Sequence, residues 1–178
     1  VQKLRGKKNS KVRLQIKRAD VDSLLDFEIT RSEVPIKSVE SFYMMSSTLG
    51  YIKITRFAES TYLEFEDAVE DLIAAGAINL VLDLRDNSGG FLHIAEKIAD
   101  EFLEDGKLIL FTKNKSNQVN ESYATEMGRF EQASVYVLIN ENSASASEII
   151  AGALQDNDKG TILGRRSFGK GLVQREMD

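Results

Sequence analysis

Cysteine and tryptophan are absent from this 178-residue chain, and histidine and proline occur once each. Without thiols there is no thiolate nucleophile, no disulfide and no cysteine-based zinc site, and a single imidazole cannot build a multi-histidine metal centre. No apolar run reaches the roughly 18 to 20 residues that span a bilayer. An excess of positive charge is missing too: 28 acidic against 23 basic residues leave a net charge of -5 and a pI near 5.1. The chain as a whole therefore has no attraction to nucleic acid or anionic lipid, and the basic residues between Lys3 and Arg18 make only a local cluster. The opening Val-Gln-Lys is neither a signal peptide nor an initiator methionine, so the chain reads as an excised piece of a longer protein. What is present, 42% hydrophobic and 29% charged positions, suffices for the core of one ordinary domain, or of one domain with a fragment of another. Disordered, collagenous and disulfide-scaffold classes are excluded.

Two stretches near the start alternate apolar and polar residues. KVRLQIK (11–17) and LDFEIT (25–30) predict half-buried antiparallel strands around a polar turn. The lone proline, Pro35, lies in EVPIKSVES, which has no helical period, and the boundary between two units is placed there, with 1–38 before it and 39–178 after. From Gly50 the texture is that of βαβ units. GYIKITRF predicts a strand, Ser60 a helix cap for 62–75, and INLVLDL (78–84) a strand buried on both faces of a parallel sheet. A helix over 94–103, a strand over 107–113, a polar loop over 114–133, a strand over 135–140, a helix over 144–156 and a short strand over 161–164 follow. The fold class is α/β, with helices covering a mostly parallel sheet.

In such sheets sites form beyond the carboxyl ends of the strands. Two loops stand there. DLRDNSGG (83–90) ends in paired glycines that let a ligand approach main-chain N–H groups, and NENSASASEI (140–149) runs a serine cluster into a helix N-terminus beside free backbone donors. A serine nucleophile with an oxyanion hole fits the second loop. Plain capping fits it as well, because Glu148 can complete a capping box with Ser145, and the Gly-Gly pair lacks the spacing of a phosphate loop. His93, the sole imidazole, has Glu96 and Lys97 rather than a serine-bearing loop at helical spacing, and reads as a surface or packing residue. A lysine can serve a serine as base when burial lowers its pKa from ~10.4 toward ~7 to 8. RRSFGKGLVQ (165–174) offers Lys170 among Phe168, Leu172 and Val173, although Gly-Lys-Gly is also an ordinary exposed turn.

DLRDNSGG, NENSASASEIIAGALQDNDKGTILG and RRSFGKGLVQ, in that order and with a 25-residue step from Ser145 to Lys170, resemble the C-terminal processing peptidases, or tail-specific proteases. The resemblance runs over the whole chain. It implies a crotonase-like α/β core and a Ser-Lys dyad: Ser145 as nucleophile, Lys170 as general base, Gln174 orienting the lysine amine, and the N–H groups of Gly90 and Ala146 as oxyanion donors. Ser143 and Ser147 are the near-miss serines, set aside only by the family match. Residues 1–38 resemble the second half of a PDZ domain whose carboxylate-capturing first half is missing, so peptide binding through that part is not expected. The family core normally continues beyond VQREMD, so the fragment itself is expected to hold the catalytic residues without necessarily being active.

The function implied is a serine endopeptidase acting, without metal or organic cofactor, in or from the C-terminal region of unfolded or tagged polypeptides. Nucleic acid is not an expected partner, a homo-oligomer is compatible, and family analogy puts the protein outside the cytoplasm, in the periplasm or envelope. Two competing readings are an inactive peptide-binding scaffold of the same fold, opposed by the retained Ser145, Lys170 and Gln174, and a crotonase-type acyl-CoA enzyme, which has no evident use for RRSFGKGLVQ.

Overall fold

The computed structural model describes residues 4–32, 36–125 and 128–173. The chain divides into two compact units, Val1–Ile36 and Lys37–Asp178; Pro35 lies outside the described residues. In the first unit β1 (Lys11–Ile16) and β2 (Leu25–Thr30) form an antiparallel pair. Val12 faces Ile29, Leu14 faces Phe27 and Ile16 faces Leu25, so the period-2 pattern places these apolar side chains in cross-strand pairs. Glu28 takes Lys11 and Arg13 across the ladder.

The second unit is a five-stranded sheet, ordered β3-β4-β5-β8-β9, with three helices. Its strands are β3 (Val39–Met44), β4 (Leu49–Ile54), β5 (Asn79–Asp83), β8 (Val135–Ile139) and β9 (Gly160–Gly164). β4, β5, β8 and β9 are parallel neighbours, and β3 adds an antiparallel edge. The sequence pattern did not resolve β3: VESFYM mixes polar and aromatic residues, and it becomes a strand because β4 offers it a backbone ladder.

Helix α1 (Thr61–Ala74) follows β4, α2 (Leu92–Asp100) follows β5 and α3 (Ala146–Asp156) follows β8. Each helix turns an apolar stripe to one core. Phe65, Ala68, Val69 and Leu72 of α1, Ile94, Ala95, Ile98 and Ala99 of α2, and Ile150, Ala153 and Leu154 of α3 meet Ile52, Ile54, Leu80, Leu82, Val135 and Val137 of the sheet. The alternate residues Tyr51, Val81 and Asp83 are also buried, on the other face of the sheet, so β5 is covered on both sides as its apolar run predicts. Phe102 is fully buried between Phe65, at 6.0 Å between ring centroids, and Phe130, at 6.1 Å. Phe102→Ala is expected to destabilise this unit by about 3 to 5 kcal/mol, read as a lower denaturant midpoint at unchanged slope.

Two expectations need correction. The strand over 107–113 does not join the main sheet: β6 (Leu108–Lys113) pairs antiparallel with β7 (Val119–Tyr123) in a separate hairpin. Part of the anticipated polar loop is thus a strand, closed by a tight turn in which Asn114 Oδ1 accepts the N–H groups of Ser116 and Gln118. Ser60 does occupy the α1 N-cap, but its hydroxyl donates to Glu64 Oε1 at 2.7 Å rather than capping the backbone. Glu64 in turn accepts the N–H groups of Ser38 and Val39, which ties β3 to α1.

Candidate active site

The two loops singled out by sequence leave adjacent parallel strands, β5 and β8, and therefore lie side by side at the carboxyl end of the sheet. Several side chains fasten them together. Asp86 Oδ1 accepts the amides of Asn140 and Asn142, at 2.9 and 2.7 Å, while Asn140 Oδ1 accepts the Asp86 N–H at 2.9 Å. Beneath them Asp83 is fully buried, forked by Arg85 and bonded by the Tyr51 hydroxyl at 2.6 Å. Burial pushes the Asp83 carboxyl up, but the Arg85 and Tyr51 hydrogen bonds outweigh it and hold it below the ordinary carboxylate range. The same burial and the Asp83 hydrogen bond raise the Tyr51 phenol to about 12. Because the Asp83 pKa is lowered on folding, this stabilisation is present above the unfolded-state value and fades as pH falls through the folded one.

The glycine pair makes room for the serine loop. Gly89 has φ +102, and a Cβ there would lie 2.8 Å from both Ser145 Cβ and the Ala144 carbonyl oxygen. Gly90, at φ +150, bridges in parallel to Phe57, whose carbonyl oxygen would stand 2.0 Å from an added Cβ. No side chain larger than hydrogen fits either place.

The three serines of SASAS have different surroundings. The Ser143 hydroxyl is buried, donates to the Leu84 carbonyl at 2.7 Å and accepts the Asn140 N–H at 3.0 Å. The Ser147 hydroxyl is buried and donates to the Asn87 carbonyl at 2.9 Å. Ser145 is only partly buried and lines a cleft of about 670 Å³. It stands at the α3 N-cap with φ 56° and ψ -113°, a conformation that for a non-glycine residue stores about 1 to 3 kcal/mol of strain. Such a sharp strand-to-helix turn presents the residue at its apex to the open end of the sheet. Ala146, next in the chain, begins α3, where the first N–H groups have no intrahelical acceptor.

Gly90, Ala146 and Lys170 line the same cleft as Ser145. The remaining wall is largely apolar and includes Phe57, Phe91, Ile149 and Leu172, together with Leu110, Phe111 and Thr112 of the β6–β7 hairpin. His93 is also on this wall. Its partner is Glu59, at 3.2 Å, rather than the Glu96 or Lys97 of its own helix, and it remains half exposed as a surface histidine.

The Lys170 segment is irregular, and sequence reasoning missed what fastens it. Glu148, one turn into α3, accepts four hydrogen bonds: from the Ser145 N–H at 2.9 Å, the Ser167 hydroxyl at 2.7 Å, the Gly169 N–H at 2.6 Å and the Lys170 N–H at 2.8 Å. The capping-box pattern anticipated only the first. Burial raises this carboxyl, yet the four donors outweigh it and keep it below its usual range, hence ionised. The apolar enclosure expected around Lys170 is not found: the lysine is exposed, and Phe168, Leu172 and Val173 are 69%, 77% and 50% exposed. Three neighbours in sequence cannot bury a side chain unless another layer packs over them, and none does so among the described residues. Gln174 lies outside the described residues. Also among the described residues, no cluster of three or more carboxylate or imidazole groups could hold a metal ion, and no helix is long and apolar enough to cross a membrane.

Against known proteins, residues 48–178 match the model of peptidase family S41. The chain is 38% identical over 178 residues to a carboxy-terminal-processing protease of Bartonella bacilliformis, covering 98% of this chain and 41% of that protein. It is 38% identical over 171 residues to the carboxy-terminal processing protease CtpA of Bacillus subtilis, covering 96% and 36%. The mixed α/β fold is similar to that of a solved photosystem II D1 C-terminal processing protease, with a TM-score of 0.71 at 28% identity, over 96% of this chain and 47% of that one. The chain thus spans less than half the length of these relatives. With the family model matching the region that carries both loops and the Lys170 segment, the chain belongs to peptidase family S41.

Proposed function

We propose that the full-length protein is a serine endopeptidase that cleaves polypeptides in or from their C-terminal region through an acyl-enzyme on Ser145. The observation that carries this reading is the convergence of Ser145, Lys170, Gly90 and Ala146 on one cleft, while Ser143 and Ser147 are buried and bonded elsewhere. Lys170, when neutral, takes the hydroxyl proton as Ser145 attacks the scissile carbonyl; the N–H groups of Gly90 and Ala146 receive the oxyanion. The lysine then protonates the leaving amine, and water hydrolyses the ester. Gln174 has the role of orienting the amine.

The finer parts of the reading rest on the family resemblance. The α/β unit is a crotonase-like core, the hairpin unit is the second half of a PDZ domain within 1–38, the substrates are unfolded or C-terminally exposed polypeptides, and the protein works outside the cytoplasm. The catalytic reading is tested by intact-mass detection of a fluorophosphonate adduct with peptide mapping, on the full-length protein and on the 178-residue chain. An adduct on Ser145 that disappears in Lys170→Ala supports it. Labelling of Ser143 or Ser147, or a folded full-length protein that takes no label, overturns it.

A further inference from the structure

Asn87 is fully buried in the loop after β5, and all of its polar groups are engaged. Its amide Nδ2 donates to the Ile54 carbonyl at the end of β4, at 2.9 Å, and its Oδ1 accepts the Gly89 N–H, at 2.9 Å. Its main-chain carbonyl accepts the Ala144 N–H at 3.0 Å and the Ser147 hydroxyl at 2.9 Å. Its own N–H reaches the Leu84 carbonyl at 3.3 Å. One residue therefore joins the end of β4, the glycine turn and the chain on both sides of Ser145.

Two residues downstream of Asn87, the Gly89 carbonyl accepts the Phe57 N–H at 3.0 Å, and the Phe57 carbonyl accepts the Phe91 N–H at 2.8 Å. This bridge grips the loop on either side of Gly90 and makes no use of the Gly90 N–H itself. The Gly90 N–H points opposite to the Gly89 carbonyl of the same peptide, which Phe57 holds, while the Asn87 side chain holds the other side of Gly89 through its N–H. The position of the Ala146 N–H follows from the turn at Ala144, which the Asn87 carbonyl fixes.

We infer that Asn87 is a positioning residue that sets the Gly90 and Ala146 N–H groups relative to each other before substrate arrives. The inference rests on the serine-peptidase reading above. Donors fixed in advance stabilise a developing oxyanion because no reorganisation is needed as charge appears. A carboxamide suits this place, since it gives the Ile54 carbonyl a donor and the Gly89 N–H an acceptor within one side chain.

The test compares Asn87→Ala and Ser147→Ala with wild type and Ser145→Ala, in the full-length protein, on a peptide oxygen ester and its thionoester. Sulfur is a weak hydrogen-bond acceptor, so the oxygen-to-sulfur rate ratio reports on the oxyanion donors. Asn87→Ala is expected to lower kcat on the oxygen ester by about ten- to a hundredfold with KM nearly unchanged, and to lower the rate ratio with it. Ser147→Ala, which removes one of the two bonds to the Asn87 carbonyl, gives a smaller fall of the same kind and decides the matter if Asn87→Ala does not fold. An unchanged kcat, or a lower kcat at an unchanged ratio, overturns the inference while leaving the peptidase reading intact. Undiminished turnover in Ser145→Ala removes the peptidase reading itself, and this inference with it.

Discussion

Ser145→Ala in the full-length protein is expected to abolish peptide hydrolysis, with a fall in kcat on the order of 10⁴- to 10⁶-fold and a folded, substrate-binding protein left behind. The size of the effect follows from the chemistry: without the hydroxyl no acyl-enzyme forms, and only oxyanion stabilisation of water attack remains. Lys170→Ala is expected to fall nearly as far, because in the proposed dyad the two groups act as one unit. Lys170→Arg is not expected to rescue, since guanidinium keeps its proton. The base role also fixes a pH dependence. A lysine acts as base only in its neutral form, so kcat should rise with pH, and a rate flat from about pH 6 to 10 would exclude a lysine base. Hydrolysis by Ser145→Ala at the wild-type rate would remove the nucleophile assignment altogether.

The second large effect is expected at Glu148. Its carboxylate joins the Ser145 N–H to the Ser167 hydroxyl and to the N–H groups of Gly169 and Lys170, so it couples the turn at Ser145 to the backbone around Lys170. Each hydrogen bond to a charged group contributes about 1.5 to 3 kcal/mol, and removing the acceptor leaves several donors unpaired together. Glu148→Ala should lower kcat by about 10²-fold or more through misplacement of Lys170. It should also expose 165–173 to limited proteolysis. Glu148→Gln is expected to be nearly as damaging, because an amide turns its NH₂ toward donors. The lowered pKa gives this link a direction in pH. With Glu148 ionised the link is intact above the unfolded carboxyl value; it is lost as pH falls through the lower folded value, and the segment is released on the acid side. A variant with full activity and a protected 165–173 segment would contradict the coupling.

Much of the fold was legible because hydrophobic period is a local property. β1, β2, β5, β8 and the three helices follow from alternation, apolar stripes and continuous apolar runs. β3 and β7 were not legible, since each is polar enough to pass for loop and becomes a strand only when a neighbour satisfies its backbone. The hairpin's separation from the main sheet was hidden for the same reason: pairing partners are a long-range choice that β6 does not encode by itself.

At the site the division is similar. Sequence alone determined the residue types, their order and their spacing: a glycine pair after a buried strand, a serine cluster opening a helix, and a lysine between glycines 25 residues beyond Ser145. It also left no thiol and a single imidazole among these 178 residues. Tertiary structure alone decided which serine hydroxyls are buried and bonded and which serine meets the cleft, because burial depends on the turn at Ser145 and on the loop after β5 packing against it. It likewise decided that Glu148 and Asn87, which read locally as a helix cap and a turn residue, hold separate segments together. A hydrogen bond between residues distant in sequence has no local signature, so such roles emerge only when the chain has brought their partners within about 3 Å.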